Sequence, residues 1–141
     1  PEERQRRKRF RLMLVEDNEV NQLVTRGMLS KLGFQVKTVS NGETALALLE
    51  QEPFDLVLMD CMMPEMDGFE VTRRLREIEQ DKASLRTPVV AVTANTAEGV
   101  QARCLAAGMD DFLAKPVHLD ALETVLRRWL PEQPAKDEEE Q

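Results

Sequence analysis

The chain has 141 residues, of which 42% are hydrophobic and 32% charged, and its formal net charge is -7. That size suits one soluble domain with one sizeable core, and the acidic balance disfavours non-specific binding to nucleic acid. No apolar run approaches the ~20 residues that a membrane-crossing helix needs, and no signal peptide is visible.

The chain opens on Pro1 rather than Met, so it is expected to be a fragment of a longer protein. Residues 1–11 set six basic side chains (Arg4, Arg6, Arg7, Lys8, Arg9, Arg11) against Glu2 and Glu3, and residues 1–10 read as a basic linker. A first strand is expected over Leu12–Val15. A helix over residues 19–32 follows, with Val20, Leu23, Val24, Met28 and Leu32 at helical spacing, Asp17 or Asn18 as cap and Gly33 as stop. Phe34–Val39 reads as the second strand, and residues 41–51 as a helix opening on the Asn41-Gly42 turn. Phe54–Met59 is the third strand. Residues 68–79 form a helix after Pro64 and Gly68, with Val71, Leu75 and Ile78 facing inward. Pro88–Thr93 is the fourth strand, followed by a weaker helix over residues 96–107 that Gly108 closes. Asp111–Ala114 is the fifth strand. Residues 119–130 give the clearest amphipathic helix, through Leu122, Val125, Leu126, Trp129 and Leu130. Residues 131–141 read as an acidic, disordered tail.

Short apolar runs rich in Val, Leu, Phe and Met suit strands covered on both faces. Five such strands alternating with five helices predict an α/β fold, a doubly wound five-stranded parallel sheet in three layers with right-handed crossovers. In sheets of this kind, binding groups collect at the carboxyl ends of the strands. Four strands here end in reactive side chains: Glu16-Asp17, Asp60, Thr93 and Lys115-Pro116. Taken singly, Asp17 and Asn18 are ordinary helix caps, Asp60 a turn residue, Thr93 a strand threonine and Lys115 a loop lysine. Their joint placement on one edge favours a site.

Three crowded carboxylates repel one another in a partly desolvated cleft. A hard cation such as Mg²⁺ relieves this, taking a few carboxylates together with waters and a phosphate. Asp60 is then a carboxylate nucleophile able to form an acyl phosphate, and Lys115 adds a second positive charge. Thr93 can donate its hydroxyl to a phosphoryl oxygen.

The runs LMLVEDNEVNQ (12–22), LVLMDCMMPEMDGFE (56–70), VVAVTAN (89–95) and FLAKP (112–116) resemble the receiver (response regulator) domain family of two-component systems. The match covers residues 11–130, and Glu16-Asp17-Asn18 is most similar to receivers of hybrid sensor histidine kinases. The resemblance implies a flavodoxin-like strand order 2-1-3-4-5. It implies Asp60 as phosphoacceptor, with Asp17, Asp60 and the backbone carbonyl of Met62 on Mg²⁺ and Glu16 reaching the metal mainly through water. Thr93 is implied as the switch hydroxyl, Lys115 as a phosphate contact before a cis Pro116, and Phe112 as the aromatic rotamer switch. Many members carry Tyr at that position, so here the ring can act by packing alone. Met62 and Asn95 stand where the family tunes dephosphorylation, and neither can serve as acid or base toward water.

The expected function is a relay: a phosphohistidine on a histidine kinase or histidine phosphotransfer domain donates to Asp60. The readout face would be the fourth helix, fifth strand and fifth helix. No output domain fits after Pro131, so a cytoplasmic receiver at the C-terminal end of a hybrid kinase is expected. The segment itself is not expected to be an enzyme beyond its own phosphorylation and autodephosphorylation, nor to contact nucleic acid or membrane. A covalent phosphatase would want an acid two residues past the nucleophile, where Met62 stands. A flavodoxin-like cofactor binder would want glycine rather than Glu16-Asp17-Asn18-Glu19 at the first turn. His118 reads as a surface or capping residue, and Cys61 and Cys104 as free thiols.

Overall fold

The computed structural model describes residues 2–95 and 97–131. Five parallel strands form one sheet: β1 (Arg11–Val15), β2 (Gln35–Val39), β3 (Leu56–Asp60), β4 (Val89–Thr93) and β5 (Asp111–Ala114), in the order β2-β1-β3-β4-β5. Around it lie α1 (Glu2–Lys8), α2 (Glu19–Leu32), α3 (Gly42–Gln51), α4 (Gly68–Lys82), α5 (Glu98–Ala107) and α6 (Leu119–Trp129). Thr96, with which the fourth expected helix was to begin, and residues 132–141 of the expected acidic tail lie outside the described residues.

The strands are apolar throughout because each feeds two cores. Met13, Val15, Val57, Met59, Val89 and Ala91 point to one face, where α3, α4 and α5 bring Ala45, Leu46, Val71, Leu75 and Cys104. Leu12, Leu14, Leu56, Leu58, Val90 and Val92 point to the other, against Leu29 and Leu32 of α2 and Leu122, Val125 and Leu126 of α6. Period-two alternation with both faces covered gives the near-continuous runs seen in the sequence. Three of the helices start on a side-chain cap: Asn18 accepts from the Asn21 N–H, Asn41 from Thr44 and Asp67 from Glu70. Gly33 and Gly108 end α2 and α5 in the left-handed conformation, at φ 98° and 102°.

Two features differ from expectation. There are six helices among the described residues rather than five, because residues 2–8 of the basic run are helical. Arg7 holds α1 down: it donates to the Leu32 carbonyl at 2.6 Å and to Glu123 at 3.0 Å, and its guanidinium lies 5.1 Å from the Phe34 ring centre. Phe10 follows, buried 6.5 Å from the same ring. The second difference is the face that α2 buries. Thr25, Leu29 and Leu32 go inward, while Val20, Leu23 and Val24 of the expected stripe are 67%, 64% and 49% exposed.

Candidate functional site

Strand register brings the reactive groups together. Val15 pairs with Met59, so the residues after them, Glu16 and Asp60, leave the sheet side by side. Asp60 pairs with Val92, and Thr93 pairs with Ala114, which sets Lys115 at the same edge. One oxygen from each of Glu16, Asp17 and Asp60 lies within 4.8 Å of the others. Glu16 and Asp60 are buried and Asp17 is exposed, so the trio opens to solvent through Asp17.

Lys115 Nζ sits 3.2 Å from Asp60 Oδ1 and 3.3 Å from Glu16 Oε1. Burial works against its charge, but the Asp60 and Glu16 carboxylates outweigh that and hold the ammonium above the ordinary lysine range. Asp60 is pushed up to about 6, first by burial and then by Glu16; the Met62 N–H, donating at 3.1 Å, and Lys115 pull the other way. One ammonium therefore does not balance the trio. Buried oxygen donors short of positive charge suit a hard divalent cation, which fits Mg²⁺ better than a soft metal.

The backbone around Asp60 is tight. A Cβ on Gly68 would lie 2.4 Å from the Asp60 carbonyl oxygen, so only glycine lets α4 start this close to the end of β3. Thr93 is buried, and its hydroxyl is engaged by its own loop: it accepts from the Asn95 N–H at 3.1 Å and donates to the Asn95 carbonyl at 3.2 Å. Phe112 is half-buried against the core beneath α5. The Lys115-Pro116 bond is cis. Met62 is 70% exposed beside the acceptor position.

Other reactive groups lie apart. Cys61 and Cys104 are free, buried and 4.0 Å apart at sulfur. Burial above all pushes the Cys61 thiol up to about 12, so it offers no nucleophile beside Asp60. His118 precedes α6 and its side chain makes no capping bond. Sequence reasoning assigned no role to Gln22 and read Gly68 only as a turn marker before a helix, although both stand inside the quoted runs. Gln22 Nε2 donates to the Glu16 carbonyl at 2.5 Å.

The profile of the response regulator receiver domain family matches residues 12–127. This chain belongs to that family. The receiver is 38% identical over 129 residues to the sensor histidine kinase GacS of Pseudomonas protegens, a match covering 92% of this chain and 14% of that protein. Such matches span between 7% and 16% of the curated relatives' lengths. The receiver domain of sensor histidine kinase PA1611 from Pseudomonas aeruginosa PAO1, solved with magnesium coordinated in its active-site cleft, is 42% identical with a TM-score of 0.77, covering 85% of this chain and 96% of that one. The receiver domain of the Saccharomyces cerevisiae response regulator Ssk1, solved with the phosphotransfer protein Ypd1, is 28% identical with a TM-score of 0.81, covering 85% and 88%. The strand order is the one the flavodoxin-like receiver fold requires, and the function class is that of a receiver in two-component phosphorelay signalling. No helix among the described residues is long and apolar enough to cross a membrane.

Proposed function

We propose that Asp60 is the residue that accepts the phosphoryl group. The observation that carries this reading is the buried Asp60 carboxylate, 3.2 Å from Lys115 Nζ inside a trio of acids with atoms within 4.8 Å. An Asp60 oxygen attacks the phosphorus of a phosphohistidine. The P–O bond forms as the P–N bond breaks, and the imidazole leaves with the electron pair and takes a proton. Asp17, Asp60 and the Met62 carbonyl would hold Mg²⁺, with Glu16 contributing mainly through water, and the cation would supply positive charge toward the transferring phosphoryl oxygens. Lys115 neutralises their charge from the other side. Thr93 exchanges its Asn95 contacts for a phosphoryl oxygen, and Phe112 follows by repacking, since it has no ring hydroxyl. Neither Met62 nor Asn95 can activate water, so the phosphoryl group is held rather than quickly shed.

The donor or recipient is a histidine phosphotransfer domain, and the parent chain is a hybrid histidine kinase with this segment on its cytoplasmic side. Support for the partner comes from α2. Val20, Leu23 and Val24 expose an apolar strip one turn from Glu16-Asp17, a surface that suits an apolar helix carrying the phosphohistidine. The segment performs no catalysis on other substrates.

Incubation with Mg²⁺ and acetyl phosphate, read by intact mass, tests the acceptor. Wild type gains one acid-labile phosphoryl group and Asp60→Ala gains none; equal labelling of Asp60→Ala refutes the assignment. Leu23→Asp is expected to slow transfer from a phosphorylated phosphotransfer domain at least tenfold while leaving labelling by acetyl phosphate intact.

A further inference from the structure

The Glu16-Asp17 pair projects from a loop between β1 and α2, and a loop does not by itself fix where two carboxylates point. Besides the Lys115 ion pair, three contacts hold Glu16. Its N–H donates to the Val39 carbonyl at 3.0 Å, and its carboxylate accepts from the Asn18 N–H at 3.1 Å. Its carbonyl accepts from Gln22 Nε2 at 2.5 Å. The first joins two main-chain groups and the second joins the Glu16 carboxylate to a main-chain N–H, so neither needs a side chain beyond Glu16 itself. The third depends on one side chain.

That carbonyl belongs to the Glu16–Asp17 peptide plane. Because the peptide is rigid, pinning its oxygen restrains rotation of the plane, which would change ψ of Glu16 and φ of Asp17 together. Those two torsions set the directions in which both acids leave the backbone. Gln22 is itself anchored. It lies in the first turns of α2, where its own N–H donates to the Asn18 carbonyl at 2.9 Å. Its amide also reaches Ser40 Oγ, at 3.3 Å, in the loop between β2 and α3. One side chain thus ties the acidic loop to the helix behind it and to the neighbouring loop.

We infer that Gln22 is a positioning residue for the acidic pair, orienting Glu16 and Asp17 for a divalent cation through the peptide that joins them. The inference rests on the reading of Glu16, Asp17 and Asp60 as the magnesium-binding trio. Partners one step removed from the ligands set metal affinity by holding ligands in place, typically at a level of 10–100-fold.

The test compares Gln22→Met, which keeps the length and loses the donor, with Gln22→Lys, which restores a donor, on the full chain. In chelator, amide exchange at Glu16 and Asn18, whose N–H groups are bonded, is read by nuclear magnetic resonance; with metal, Mg²⁺ affinity is read by titration calorimetry. Gln22→Met is expected to speed exchange at Glu16 and Asn18 and weaken Mg²⁺ binding about tenfold, with core-strand exchange unchanged. Gln22→Lys is expected to restore the slow exchange. Wild-type exchange and affinity in Gln22→Met, or faster exchange that is equally large in the core strands, overturns the inference. If wild type binds no Mg²⁺, the trio reading fails, while the exchange in chelator still decides whether Gln22 holds the loop.

Discussion

At the amino ends of β4 and β5, Arg76 and Arg86 meet Glu79 and Asp110; at the carboxyl ends of β1, β3 and β5, three carboxylates meet one ammonium. The amino-end cluster is closed. Arg76 donates to Glu79 at 2.8 Å, Asp110 at 2.9 Å, and the carbonyls of Thr87 and Gly108 at 2.8 and 3.0 Å. Arg86 takes the other Asp110 oxygen at 2.8 Å. The Thr87 and Val89 N–H groups donate to Glu79 and Asp110, at 2.8 and 2.9 Å. Two positive charges answer two negative ones, and each carboxylate oxygen has a donor. The carboxyl-end cluster is left short of positive charge, and its central acid is pushed up to about 6 by burial and by Glu16. A balanced network fastens helix, strand and turn. An unbalanced one stores a demand for cations and is where a ligand belongs.

The contrast can be broken first at the closed end. Arg76→Ala would leave Glu79 without its ion-pair partner and Asp110 with only the more exposed Arg86. A loss of about 3–5 kcal/mol is expected in urea denaturation, with Mg²⁺ affinity unchanged in the protein that remains folded. The same substitution costing under about 1 kcal/mol would remove the distinction between the two ends.

At the open end the sign reverses. Asp60 has a higher value folded than its ordinary 3.8, so its contribution to stability is fully present below pH ~4 and is lost as pH rises through about 6. Asp60→Asn, measured in chelator, is therefore expected to stabilise the fold above pH ~7, by at most about 3 kcal/mol, and to gain nothing near pH ~4. Mg²⁺ should stabilise wild type and leave Asp60→Asn nearly unaffected. Thermal denaturation across pH with and without Mg²⁺ reads all of these.

The smallest effect expected is at Asp111, also at an amino end. Burial raises it, but the Trp129 indole at 2.8 Å, the Phe112 N–H and Arg128 together hold it below the ordinary carboxylate range. Its contribution is present above pH ~4 and lost as pH falls through its lowered folded value. Asp111→Asn should cost about 1 kcal/mol at pH ~7 and less in strong acid. The two ends would then show opposite pH slopes in the same titration series.

The sequence made the sheet legible because apolar strands between capped helices admit few other folds. Observed strand ends fall within two residues of Leu12–Val15, Phe34–Val39, Phe54–Met59, Pro88–Thr93 and Asp111–Ala114. The meeting of Glu16, Asp17, Asp60 and Lys115 was legible for the same reason, since strand order places them on one edge. The buried side of α2 was not. Its apolar residues occupy two faces, and hydrophobic spacing does not distinguish a face that covers the core from one offered to solvent; Val20, Leu23 and Val24 turned out to be the latter. Helix α1 was read first as a linker because Glu2–Lys8 has no apolar stripe, and it is held by a guanidinium tip and the phenylalanines beside it. Gln22 escaped because its partner is a backbone carbonyl, which no side-chain pattern records.

The Arg7–Glu123 contact joins residues 116 positions apart in the chain. The strand of polypeptide that enters the domain is thereby buckled to the helix by which it leaves. A module whose doorway and exit adjoin can be spliced into, or strung between, other domains without prying them apart. Any displacement of α6 would also reach the entering chain directly through that contact, without having to travel through the sheet.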